Sequence, residues 1–140
     1  MCRKDLLNSI KTTLHECGLV ESSLGNTMTY QRNVKYPSIF SDKNDRAHFV
    51  LHLPERTIQI VAKYQESNGT AIEKLAYTAM DAARTSYDDY LVICGGTELL
   101  KHSRAINFLN LSKSVAPKLD AITLKELASI LKPYLPKVAA

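Results

Sequence analysis

The chain is short of the features that announce membrane, secreted or metal-stapled proteins. No apolar run in its 140 residues approaches the roughly 20 residues needed to cross a bilayer. The opening Met1-Cys2-Arg3-Lys4-Asp5 leads into a mixed amphipathic segment and not into a signal-peptide core. Three cysteines, Cys2, Cys17 and Cys94, are odd in number and lack metal-ligand spacing. They read as reduced thiols of a cytoplasmic protein, with Cys17 and Cys94 serving as small buried hydrophobes. There is no internal repeat and no low-complexity tract, so residues 1–140 read as one domain. Gly95-Gly96 lacks the length and the lysine of a phosphate-binding P-loop; Thr97 after it reads as a helix N-cap.

What is present describes an ordinary globular protein with a basic balance. The apolar fraction is 45% and the charged fraction 23%. The net charge of +4 and pI near 9.0 suit a polyanion partner without identifying one.

Periodicity supplies the elements. Leu6, Leu7, Ile10, Leu14 and Cys17 recur at helical spacing over residues 3–17, with Gly18 placed to end the helix. Residues 19–26 read as a loop and 27–36 as a strand, whose Arg32, Lys35 and Tyr36 form a small basic-aromatic group. After a polar loop over 37–45, the stretch from Ala47 to Leu75 reads as strand, turn at Pro54-Glu55-Arg56, strand, loop and helix. In the second strand Gln59, Val61, Lys63 and Gln65 share one face, opposite Ile58, Ile60, Ala62 and Tyr64. Asn68-Gly69 suits a turn, and Thr70 with Glu73 suits a capping box opening a helix to about Thr85, with Ile72, Leu75, Ala76, Ala79, Met80 and Ala83 inward. Tyr90 to Cys94 is a wholly apolar run that fits a central strand covered on both faces. A helix over 99–111 exposes Lys101, His102 and Arg104. A short strand over 119–122 and a helix capped by Thr123 and Glu126 complete the chain. The order predicts an α/β (α+β) domain with a mixed central sheet flanked by helices.

The string from Ala62 to Leu75, with its Lys-Tyr-Gln, Gly-Thr and Glu-Lys, resembles the PD-(D/E)xK nuclease superfamily of restriction endonucleases and Holliday-junction resolvases. That resemblance implies a restriction-endonuclease-like fold and a catalytic role for Lys63, with Gln65 beside it. It also implies two metal-binding acids, which would fall at His48 and Val61. Magnesium prefers oxygen ligands, and neither residue offers one. The expectation is therefore a catalytically degenerate, cofactor-free pseudoenzyme that binds nucleic acid, most simply double-stranded DNA, through Arg32, Lys35, Lys63, Lys101 and Arg104. Such a protein suits a regulator or decoy in phage or mobile-element conflict, and a homodimer or a heterodimer with a related nuclease. Two alternatives stay open. One is an active, magnesium-dependent endonuclease whose ligands moved to Asp45, His48 or Glu16, the last from the first helix. The other is a protein-interaction module that inhibits a true nuclease.

Overall fold

The computed structural model describes residues 2–67 and 72–137. The Asn68-Gly69 turn and the Thr70 cap lie outside the described residues.

Helix α1 spans Arg3–Glu16 and is followed by Gly18 in the left-handed region at φ 92°, where glycine carries no Cβ penalty. Six strands follow in one sheet among the described residues, in the order β1-β2-β3-β4-β5-β6. They are β1 Val20–Glu21, β2 Thr29–Pro37, β3 Asn44–His52, β4 Thr57–Tyr64, β5 Asp89–Gly95 and β6 Leu119–Thr123. The middle strands β2, β3 and β4 are antiparallel; β5 and β6 continue parallel to β4. The mixed sheet with flanking helices is the expected α/β (α+β) fold, consistent with a restriction-endonuclease-like domain.

Both sheet faces are covered. On one, Leu6, Ile10 and Leu14 of α1 pack with Leu127 and Leu131 of α5 (Leu127–Leu131) over Ile58, Ile60, Ala62, Leu91 and Ile93. On the other, α2 (Leu75–Ala83) and α4 (Arg104–Leu111) bring Leu75, Ala82, Ala105 and Leu109 over Val61, Tyr90, Val92 and Cys94. Two layers of helix explain why β5 is apolar from Tyr90 to Cys94.

Several local readings change. Val20–Glu21 pairs in parallel with β2, so the expected loop carries a short edge strand. β3 begins at Asn44, inside the expected polar loop. Thr97 is the first residue of the four-residue α3, Thr97–Leu100, and Gly96 takes the cap position at φ 93°. The expected helix over 99–111 breaks where His102 and Ser103 adopt φ of 56° and 53°. Helix α2 is turned from its predicted face: Leu75, Thr78, Ala79 and Ala82 are inward, with Asp81, while Ala76, Met80 and Ala83 are exposed. Among the described residues, no helix is long and apolar enough to cross a membrane.

Candidate functional site

The sheet opens between β3 and β4. Their pairing runs only from Phe49–Ile60 to His52–Thr57, whereas β2 and β3 stay paired out to Pro37–Asn44. The β2–β3 ribbon therefore peels away, and Val61 to Tyr64 keep a strand partner only in β5. Part of the lost ladder is replaced by a side chain: the Ala62 amide donates to His48 Nδ1 at 2.9 Å. Opposite His48 in the β2–β3 register, Asn33 takes φ of 53°.

A cavity of about 510 Å³ fills this opening. It is floored by β4 residues Val61 to Tyr64, walled by α2 and roofed by the β2–β3 ribbon. Its lining includes the cations Arg3, Arg46, Lys63 and Lys74 and the carboxylates Asp45 and Asp81. α1 packs along β4, so its first residue, Arg3, reaches the end of the strand that carries Lys63.

Each carboxylate is held by tyrosine. Asp81, only 5% exposed, accepts from Tyr36 of β2 at 2.5 Å and from Tyr90 of β5 at 2.7 Å, both through Oδ2. Its Oδ1 is buried and has no hydrogen-bond partner among the described residues. Asp45 Oδ2 accepts from Tyr77 of α2 at 2.5 Å, and Tyr77 also bonds Ser38 at 3.0 Å. Burial, and then the Asp81 charge, pushes the phenols of Tyr36 and Tyr90 well above their ordinary range, so both remain donors.

The Lys63 ammonium is half-buried, and burial draws its pKa down; the Asp81 charge opposes that effect. Among the described residues it has no hydrogen-bond or ion-pair partner. A lysine held this way, desolvated between two carboxylates and three other cations, is available to an incoming anion.

The face carrying Gln59, Val61, Lys63 and Gln65 is mostly covered: Gln59, Val61 and Gln65 are buried, and Lys63 is half-buried at the cavity. Gln59 is buried, its Oε1 accepting from Thr85 at 2.8 Å. Gln65 follows the end of β4; its amide donates to the Ser67 carbonyl at 2.8 Å, and it lines the cavity beside Lys63. Val61 is 6% exposed, packed in the apolar cluster with Leu75 and Tyr90. His48 lines the cavity with its pKa lowered to about 4, by burial first and then by Arg3 and Lys63, so the ring is neutral and its Nδ1 already engaged.

The other sequence candidates stand elsewhere. Among the described residues, Lys63 alone of the five predicted nucleic-acid contacts lines the cavity. Arg32 is exposed on β2, 3.9 Å from Glu21, and Lys35 is exposed on the same strand. Arg104 pairs with Glu98 at 2.8 Å, beside exposed Lys101. Glu16 ends α1, about 20 Å along the helix from Arg3. Asp45 does line the cavity. Arg3, Arg46, Lys74 and Asp81 also line the cavity and are not among the sequence candidates; Asp81 lies on the inward side of α2, three residues after Thr78 and one before Ala82.

No group of three or more His, Cys, Asp or Glu side chains is arranged to hold a metal ion among the described residues. Asp45 and Asp81 both line the cavity, and Asp81 Oδ1 is without a hydrogen-bond partner among the described residues. A family model described as a PD-(D/E)XK nuclease superfamily domain matches residues 3–134. No curated protein and no solved structure matches the chain.

Proposed function

The chain belongs to the PD-(D/E)XK nuclease superfamily, and from that premise we propose that it binds nucleic acid by its phosphates in the cavity between β3, β4 and α2. The observation that carries this reading is the gathering of Arg3, Arg46, Lys63 and Lys74 around one opening. With Asp45 and Asp81 counted against these four cations and His48 neutral, the lining carries two positive charges in excess (4 − 2). At the positions that the resemblance assigns to the superfamily acids stand an engaged imidazole, His48, and a buried valine, Val61, which supports binding without the family's usual metal site. Four phosphate contacts on duplex DNA would lower affinity about 10²-fold between 50 and 200 mM salt. Fluorescence anisotropy with a labelled duplex measures this. Lys63→Ala is expected to weaken binding and to flatten the salt slope by about one. Unchanged binding by Lys63→Ala, or binding of neither duplex nor single strand, overturns the reading.

One observation favours a second reading, a metal-dependent endonuclease with displaced ligands: the unpartnered Asp81 Oδ1 in the same cavity as Asp45. Magnesium is commonly held by one or two carboxylates with waters and substrate phosphates. Asp45 and Asp81 supply two carboxylates of that kind, each oriented by tyrosine hydroxyls. A bound metal would supply charge stabilisation and an activated water. Lys63 would then hold the scissile phosphate. Supercoiled plasmid with magnesium or manganese decides between the readings. Nicking lost in both Asp45→Asn and Asp81→Asn establishes the second reading, and an intact but retarded plasmid supports the first.

A further inference from the structure

An aromatic turn packs against Tyr77, one of the cavity-lining residues. The β2–β3 connection, residues 38–43, is closed by its own hydrogen bonds: the Ser38 amide to the Lys43 carbonyl at 3.1 Å, the Lys43 amide to the Phe40 carbonyl at 3.1 Å, and the Phe40 amide to Ser38 Oγ at 3.1 Å. Ser38 is buried and its hydroxyl also bonds Tyr77, so the turn is anchored to α2. At its tip Phe40 is 54% exposed. Its ring lies nearly parallel to that of Tyr77, at 12° with centroids 6.3 Å apart, and Lys43 Nζ lies 5.9 Å from its centroid. Tyr77 is the residue that bonds Asp45, and Tyr77, Asp45 and Arg46 all line the cavity.

The placement matters more than the exposure. A single exposed phenylalanine on a surface is ordinary. This one sits in a turn closed by its own hydrogen bonds, stacks on a ring that lines the cavity, and has the Lys43 ammonium beside it. Base–aromatic stacking tolerates any base because every base has a π-face, but it requires the base to be out of a duplex stack. Phe40 adjoins the cavity through Tyr77, so its ring is an aromatic neighbour for a nucleotide whose phosphate is held by the cavity's cations. We propose that Phe40 is a stacking platform for an unpaired base, so that the preferred ligand is a single strand, or a duplex with a frayed or overhanging end, and not a continuous duplex. The inference rests on the phosphate-binding reading and narrows its substrate class.

The chain has no tryptophan, so Phe40→Trp creates a unique fluorophore. Titration with an oligothymidylate is expected to quench its emission. A blunt duplex is expected to leave it unquenched, and a duplex with a single-stranded overhang to restore the quench. In parallel, anisotropy should show Phe40→Ala weakening single-strand binding by about 5- to 100-fold with blunt-duplex binding unchanged. Phe40→Trp should retain single-strand affinity. If Phe40→Ala binds single strands as the unmodified chain does, and Trp emission stays constant while anisotropy reports binding, the stacking inference fails and the phosphate-binding reading stands. If the unmodified chain binds neither single strand nor duplex, both fail.

Discussion

The backbone amide of Ala62 donates to the imidazole Nδ1 of His48, closing the gap that the diverging strands leave. The bond needs a neutral ring, and burial with Arg3 and Lys63 nearby lowers the His48 pKa from its ordinary 6.5 to about 4. The unfolded chain therefore binds the extra proton first as pH falls. Stability from this site is fully present above pH 6.5 and is lost as pH falls towards 4. The full shift corresponds to about 3 kcal/mol, and because the ring is only half-buried about 1–2 kcal/mol is expected. Urea midpoints at pH 7.5 and 4.5 measure it. His48→Gln keeps an acceptor without titrating and should show a shallower loss than the unmodified chain; equal slopes would remove His48 from the account.

Asp81 links three elements through Tyr36 and Tyr90. A buried carboxylate that loses one of two donors is left poorly solvated, and a hydrogen bond to a charged group contributes roughly 1.5–3 kcal/mol. Tyr90→Phe, which removes the more buried hydroxyl, should lower stability by about that amount in denaturant melts. In an Asp81→Asn background the same change should cost less, because the amide needs its donors less than the anion does. Full additivity in this cycle would mean that the tyrosine acts through packing and not through the carboxylate.

The end of β4, just after Lys63, is tied to the neighbouring loop through Gln65. Gln65 bonds the Gly95 carbonyl through its amide at 3.1 Å and accepts from the Leu99 amide at 3.0 Å. A Cβ on Gly96 would fall 2.3 Å from the Gln65 carbonyl oxygen, at φ 93°. Gly96→Ala must therefore strain the backbone and displace the end of β4, at a cost above about 2 kcal/mol. Gly25, at φ 70°, has only the His52 ring nearby, at 3.4 Å. Gly25→Ala should cost about 1 kcal/mol. Thermal melts order the two, and nucleic-acid affinity should fall only in the Gly96 variant.

The linear pattern carried the fold further than the site. The alternation in β4, the apolar run of β5 and the Thr123–Glu126 capping box all appear as structure, because each depends on neighbours within a few residues. Lys63 was legible because it sits within the string that resembles the superfamily. Arg3 and Lys74 were not, since only the packing of α1 and α2 on the sheet brings them to the end of β4. Asp81 was hidden by the helix phase. Alanines line several faces of α2, so hydrophobic spacing alone did not fix which side turned inward, and Thr78 and Asp81 are polar residues on the buried side.

That division predicts which cations matter. Arg3 and Lys74 surround the cavity with Lys63, whereas Lys101 and Arg104 stand outside its lining, Arg104 already paired with Glu98. Arg3→Ala and Lys74→Ala should each weaken duplex and single-strand binding by about 5- to 10-fold and reduce the salt slope by about one. Lys101→Ala and Arg104→Ala should change affinity less than about 2-fold, an effect of net charge alone. Anisotropy at 100 and 200 mM salt separates the two groups. The opposite ranking would move the nucleic-acid surface to the helical face around α4, and would leave Lys63 as a buried cation balanced by Asp45 and Asp81.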